Sequence, residues 1–282
     1  MEWLSQRLPN GCIGMIYKEF PIHHDLKAHI QLLWMMESEP GDAPIPRERI
    51  MPDGIVEVIF HYADPWITTH DGRPPRVQPD GFAISQMRKF IEIEPGGRTG
   101  FLSVRFFPWG AYHFFARPIR DFLDDMVSIE VLWPKHAAAI LGDIRAAGSP
   151  RARSDLLQRF LLDRLTEDCR DDPPLDAAVR LIRQSRGLIP IDEVLRRTGL
   201  SRKRLERAFV SLVGTTPKIF SRIRRFLNIC SHIEEQKHKS LTELAYDCGY
   251  FDQAHFIKEF KEFAGFTPKE FFGRMTIGVT DL

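Results

Sequence analysis

The 282-residue sequence has no apolar run long enough to cross a bilayer and no secretion signal at its start. A membrane-spanning helix needs about 20 consecutive apolar residues, whereas charged residues make up 27% of this chain. The opening MEWLS lacks the basic and then apolar order of a signal peptide. We therefore expect a cytoplasmic protein with no membrane partner, and the chain length favours two domains.

Motifs for metal binding and catalysis are also missing. The four cysteines are widely separated: Cys12, Cys169, Cys230 and Cys248. Their spacing fits no zinc or redox motif, so we expect buried free thiols. Ten histidines occur without a His-x-His or His-Glu-x-x-His pattern. His23 and His24 are adjacent, which would turn them to opposite faces of a strand. With no nucleophile elbow or phosphate loop either, we expect no metal, no cofactor and no enzyme activity.

The net charge of +1 conceals an uneven distribution. Residues 175–274 hold 19 basic and 12 acidic residues, a net charge of +7, while the rest holds 20 and 26, a net charge of −6. A basic region joined to an acidic one is typical of a nucleic-acid-binding module attached to a part that avoids phosphate. A solvated charged face would give the same count, so charge alone leaves both interpretations open.

An internal repeat occupies the basic region. The paired positions are Ile191 and Leu241, Gly199 and Gly249, Leu205 and Phe256, Phe209 and Phe260, Gly214 and Gly265, Pro217 and Pro268, and Phe220 and Phe271. The offset is 50 residues up to the first glycine of each copy and 51 after it. The sequence therefore predicts a duplicated unit whose second copy has one extra turn residue.

Each copy has the pattern of a helix-turn-helix. A short helix ends at the glycine, which tolerates a positive φ, and Ser201 or Asp252 then provides an N-cap for a second helix. Capping boxes are predicted at Ser240 with Glu243 and at Thr267 with Glu270. Between the copies, apolar residues at three-to-four spacing after Thr216 and Pro217 predict one amphipathic helix. Its roughly 20 residues would measure about 30 Å, close to one DNA turn of about 34 Å.

These residues also carry a family resemblance. The stretch from about Leu175 to Met275 resembles the DNA-binding domain of bacterial AraC/XylS transcription regulators, most closely in the run AYDCGYFDQAHF at 245–256. Leu195 departs from the family, because a small residue, like Ala245 in the second copy, is usual there. The resemblance implies a transcription factor whose partners are a double-stranded DNA operator and RNA polymerase.

The second helix of each unit would lie in the major groove. In the first unit the face opposite the core carries Arg202, Lys203, Glu206 and Arg207. The matching face of the second carries Gln253, Ala254, Ile257 and Lys258. These side-chain types suit hydrogen bonds or methyl contacts with base edges. Candidates for phosphate contact are Lys218, Arg222, Arg224, Arg225 and Lys269.

The N-terminal half is predicted to be rich in β-structure. Apolar and polar residues alternate at 56–61 and 102–106, and turn signals, including Pro52-Asp53-Gly54 and Pro79-Asp80-Gly81, lie between such runs. Helical patterns follow near 110–116, 129–141 and 154–167. This layout resembles the β-rich, cupin-like or related sensing domains that precede the DNA-binding half in many AraC-type proteins. The polar stretch 169–174 is predicted to be the linker.

The expected fold is therefore α+β, with a regulatory domain at 1–170 and an all-α DNA-binding domain at 175–275. The first domain would bind an unknown small-molecule effector or form a homodimer. Alternatives are a catalytic domain delivered to DNA and a protein-interaction module. Asp53 and Asp80 are interpreted as turn formers rather than acids. Five aromatic residues suit a pocket lining or, preferably, a core: Trp34, Trp66, Phe106, Trp109 and Tyr112. The leucine-rich stripe at 156–165 suits a dimer face or, slightly better, docking onto the β-rich core.

Overall fold

A computed structural model describes residues 15–39, 45–70, 72–115, 117–122, 125–167, 172–231 and 240–276. Within these ranges the chain is α+β, as expected. Strands and a few helices fill the N-terminal half, and the C-terminal half is helical.

In the part of the N-terminal half that the structure describes, ten strands form two antiparallel sheets. The strands are β1 Met15–Glu19, β2 Ile30–Ser38, β3 Glu48–Ile50, β4 Val56–His61, β5 Ile67–His70, β6 Arg76–Val77, β7 Gly81–Ile84, β8 Ile91–Glu94, β9 Gly100–Phe106 and β10 Met126–Ser128. The larger sheet has the order β1-β2-β9-β4-β7-β10 and the smaller has β3-β8-β5-β6. The alternating patterns at 56–61 and 102–106 correctly predict β4 and β9, which pair with each other.

Three helices cover one face of the larger sheet: α1 Ile129–Leu132, α2 Ala137–Ala146 and α3 Pro150–Glu167. The predicted helix at 129–141 is thus two helices, interrupted around Pro134, which lacks the N–H that a continuous helix needs. At 110–116 the prediction of a helix was wrong, because the chain forms only a 3-10 turn, Ala111–His113. Leu157 and Leu161 of α3 join the buried core. The leucine-rich stripe therefore docks onto the chain's own core.

The described residues of the C-terminal half form seven helices: α4 Pro173–Gln184, α5 Ile191–Thr198, α6 Arg202–Ala208, α7 Pro217–Ser231, α8 Leu241–Asp247, α9 Gln253–Ala264 and α10 Pro268–Thr276. A π-helical turn, Phe209–Val213, extends α6. In its described part, α7 has 15 residues, about 22 Å at 1.5 Å per residue. The predicted helix of about 20 residues would extend into residues 232–239, which lie outside the described part of the chain, so its full length stays a prediction.

The predicted linker at 169–174 needs a partial correction. Asp172 is the N-cap of α4 and accepts a hydrogen bond from the N–H of Leu175, while Pro173 and Pro174 lie in the first turn of the helix. Proline suits this position because the first N–H groups of a helix have no intrahelical acceptor. The prolines therefore start a helix, and residues 168–171 lie outside the described part of the chain.

The N-terminal half contacts both repeated units of the C-terminal half. At the start of α4, the hydroxyl of Tyr112 donates to Asp176 at 3.1 Å. The turn at Gly54 packs against Phe220 of α7. Beyond α7, the guanidinium of Arg49 donates to the carbonyl of Ala264 at the end of α9, at 3.2 Å. Trp109 also packs in one cluster with Val194 and Leu205 of the first unit, so the N-terminal half holds both units against one scaffold.

Cys230 and Cys248 are buried thiols, as expected. Cys12 and Cys169 lie outside the described residues. Asp53 accepts a hydrogen bond from the N–H of Ile55 next to Gly54, whose φ is +74°, which confirms its role in a turn. Across the described ranges, no helix combines the length and the apolar character needed to cross a membrane.

Candidate nucleic-acid interface

The first unit consists of α5, a short turn and α6. Gly199 ends α5 with φ of +69°, and the hydroxyl of Ser201 caps α6 by accepting from the N–H of Arg204. Val194, Leu205 and Phe209 are fully buried in one cluster. Burial of this apolar stripe fixes the angle between the two helices and leaves the opposite face of α6 in solvent.

The exposed face of α6 is basic. Arg202, Lys203, Glu206 and Arg207 are all exposed, as predicted. Arg202 pairs with Asp192 of α5 at 2.5 Å. No ion pair occupies Lys203 or Arg207 among the described residues, so both cations are available to a ligand. The first unit therefore presents two unneutralised cations on its second helix, Lys203 in the first turn and Arg207 in the last.

The second unit repeats this arrangement with α8 and α9. Ser240 and Glu243 form the predicted capping box, and Asp252 caps α9 by accepting from the N–H of His255. Thr267 and Glu270 make the predicted reciprocal hydrogen bonds at the start of α10. The turn between α8 and α9 has five residues, 248–252, against three in the first unit, 199–201. One of the two additional residues is the insertion that the offset of the repeat predicts, and the other arises because α8 ends one repeat position earlier than α5.

The predicted readers of the second unit are less uniform. Ala254 and Lys258 are exposed. Gln253 is half-buried and accepts a hydrogen bond from Thr242 at 3.0 Å. Ile257 is half-buried and packs against the core of its unit, so only part of its side chain can reach a base.

Of the five residues expected to contact phosphate, Lys218 and Lys269 are exposed and Arg224 is half-buried. Arg222 and Arg225 turn inward toward Glu259. Arg222 donates to Glu259 at 2.6 Å and to Glu262 at 2.7 Å, and Arg225 lies 3.7 Å from Glu259. Burial alone would lower the pKa of Arg222, but these carboxylates raise it. The geometry therefore opposes phosphate contact by Arg222 and Arg225, since both already have an internal anion.

Sequence reasoning missed the residues that organise this interface. Glu259 has 1% side-chain exposure and also accepts from the hydroxyl of Tyr250 at 2.7 Å. Glu259 lies three residues after Phe256, on the apolar face of α9, and this position was the sequence signal that could have predicted its burial. Phe251, which is 86% exposed in the extra-long turn, and Tyr246, which is 61% exposed, were missed as well. They add aromatic surface beside the start of α9.

The histidine pair also differs from expectation. His23 and His24 lie at a 3-10 turn, not on a strand, and their rings are 4.2 Å apart. With Asp25 they form an exposed group whose ligand atoms lie within 4.8 Å of one another. The prediction that the two histidines point apart was therefore wrong, because the turn replaces the alternation of a strand.

Comparisons with known proteins match two separate parts of the chain. Residues 194–274 match a family model described as "Helix-turn-helix domain". They contain the helix that joins the two units and both units themselves, apart from the first three residues of α5. Residues 194–274 form an AraC-type helix-turn-helix domain. Residues 18–128 match a second family model, "Domain of unknown function (DUF6597)". No curated protein matches the sequence.

Several solved structures are similar to this chain. ToxT from Vibrio cholerae is 9% identical, with a TM-score of 0.44, over 93% of this chain and 98% of that one. The xylose-binding transcription activator XylR is 25% identical, with a TM-score of 0.33, over 44% and 38%. A Cupin_2 domain of an XRE family regulator from Enterobacter cloacae is 18% identical, with a TM-score of 0.26, over 34% and 99%. At these TM-scores, none of them assigns a ligand or a residue role to this chain.

The helix-turn-helix domain and its exposed basic helix support a role in DNA-binding transcription regulation.

Proposed function

We propose that this protein recognises a specific operator by placing α6 and α9 in two successive segments of the major groove. The observation that carries this proposal is the duplicated unit, in which each second helix begins at a cap and turns an exposed face outward. Helix-turn-helix proteins read base edges with the N-terminal part of that helix. In this proposal, Lys203 and Arg207 read the first segment, and Gln253, Ala254 and Lys258 read the second.

The two units are unequal, so a single chain would recognise an asymmetric site without a palindrome. Lys218 and Lys269 would contact phosphates and set the register. The N-terminal half, with its boundary near residue 170, would bind an effector or mediate dimerisation. The regulator would act on transcription by RNA polymerase.

The experiment is a footprint and a base-substitution series with the full chain on its own operator. We expect Arg207→Ala to weaken operator binding by about 1–3 kcal/mol and to relax preference at one base pair. The reason is that arginine donates two hydrogen bonds to guanine in the major groove.

A matched control is Lys135→Ala, which removes an exposed cation from the N-terminal half. It should leave both affinity and preference unchanged. Lower affinity of Arg207→Ala with unaltered base preference would place Arg207 on phosphate, and unchanged affinity would remove it from the interface.

A further inference from the structure

A cleft of about 280 Å³ lies where the N-terminal half meets α4. Its walls come from both halves of the chain: Lys27, Phe107 and Trp109 from one, and Arg180, Arg183 and Gln184 from the other. Its volume is close to the lower bound of about 300 Å³ for small-molecule sites. The cleft is therefore large enough for a compact ligand and too small for a duplex.

The rings of this cleft hold its arginines in place. Phe107 and Trp109 stack with centroids 4.7 Å apart and planes at 5°. The indole N–H of Trp109 donates to the carbonyl of Ala28 at 3.0 Å, which fixes its orientation. Arg180 lies 4.0 Å from the Trp109 centroid, and Arg183 lies 5.3 Å from that of Phe107. Stacking uses the flat face of a guanidinium and leaves its N–H edge open to an anion.

Positive charge accumulates here without compensation. Within the described ranges, Lys27, Arg180 and Arg183 have no carboxylate partner. Burial, and then the charge of Arg180, lower the pKa of Arg183. Behind them lies Arg224, whose Nε is buried without a hydrogen bond. Burial, and then the charge of Arg183, lower the pKa of Arg224 to about 10, and the charge of Asp53 opposes this shift. Like charges repel at this range, so a bound anion would relieve the repulsion.

We propose that this cleft binds a small organic anion that carries two or more carboxylate or phosphate groups. Arg180 and Arg183 would each donate paired hydrogen bonds to one acidic group, and Lys27 would contact another. DNA phosphate is the less favoured ligand, because half of the cleft belongs to the N-terminal half and the cations face its rings. As an effector site the cleft rests on the proposed regulator function, whereas binding of the anion itself does not.

Isothermal titration of the full chain with citrate and with pyrophosphate, at ionic strength matched with NaCl, tests the proposal. We expect saturable binding of one anion per chain by at least one of the two probes. Arg180→Gln with Arg183→Gln should weaken it about tenfold or more, because charge-assisted hydrogen bonds are lost. Should the double variant fail to fold, Lys27→Gln serves as a second variant, because Lys27 is an exposed residue of the cleft in the N-terminal half. The control Arg197→Gln removes an exposed charge outside the cleft.

Equal weakening by Arg197→Gln, or no saturable binding of either anion, would overturn the site. If neither anion binds and the Arg180/Arg183 variant loses operator affinity as Arg207→Ala does, the cluster contacts DNA phosphate instead. The two proposals fail separately. If the chain binds an anion but no operator, the proposed anion site stands and the proposed regulator function fails. If it binds an operator but no anion, the regulator function stands and the anion site fails.

Discussion

Glu259 shows how one buried carboxylate organises the second unit. It lies between Arg222, Arg225 and Tyr250, each within 3.7 Å or less of its oxygens. Burial first, and then the charge of Glu259, raise the pKa of Tyr250. Sequence reasoning assigned Arg222 and Arg225 to phosphate contact, but both belong to the core. Their carboxylate partner lies 37 and 34 residues further along the chain, and a local sequence pattern cannot predict a contact over that separation.

We expect Glu259→Gln to lower the free energy of unfolding by about 3 kcal/mol, because removing one member of a buried ion pair leaves the other charge without compensation. The matched control is Glu262→Gln, which removes the second partner of Arg222 at a side chain with 41% exposure. This change should cost less than about 1 kcal/mol. Urea unfolding of both variants measures the difference. Similar losses in the two variants would show that Glu259 is not the organising charge.

At the scale of elements, local signals were predicted well. Caps at Ser201, Ser240 and Asp252 and the glycine after each first helix depend on a few neighbouring residues, so the sequence alone locates both units. The same applies to β4 and β9, where alternation reports which face is buried. What local signals could not supply was the order of the strands, the position of α4 and the cleft at its side. Those depend on contacts between residues far apart in the chain.

Gly199 and Gly214 differ in why glycine is required: Gly199 by its backbone conformation alone, and Gly214 also by a tertiary contact. Both have a positive φ, +69° and +88°. A Cβ on Gly199 would meet nothing within 4 Å, whereas a Cβ on Gly214 would come within 2.7 Å of Ile119 in the N-terminal half. We expect Gly199→Ala to cost about 1–2 kcal/mol for the left-handed backbone alone. Gly214→Ala should cost about 1–3 kcal/mol more, because it also overpacks the contact.

Chemical denaturation of these two variants compares the costs. Because Ile119 is fully buried, its truncation is destabilising by itself, and a double-mutant cycle isolates the collision. Gly214→Ala should cost less in an Ile119→Ala background than in the unmodified protein, since the truncated side chain removes the collision. Equal costs at both glycines, or the same cost of Gly214→Ala in both backgrounds, would mean that the contact between the halves adds nothing at Gly214.

At the scale of the molecule, the N-terminal half positions the second unit through Arg49. Its guanidinium lies 4.0 Å from the centroids of Phe90 and of Phe266, one from each half. It also donates to Glu92 at 2.6 Å and to the carbonyl of Ala264 at 3.2 Å. Met51 extends the same contact into the core of the second unit. The relative placement of α6 and α9 therefore depends on the scaffold as well as on α7.

This dependence predicts a local effect of Arg49→Gln. Loss of the stacked cation and of the hydrogen bond to Ala264 should weaken docking by about 1–2 kcal/mol. Amide hydrogen exchange should then accelerate in residues 256–271 and remain unchanged in α4 and α5, which the N-terminal half holds through Tyr112 and Trp109. The control is Arg47→Gln, because Arg47 pairs with Glu92 and Glu94 of the same sheet, and none of its described partners lies in the second unit. Faster exchange in both variants would trace the effect to the sheet, and unchanged exchange in Arg49→Gln would show that α7 alone fixes the second unit.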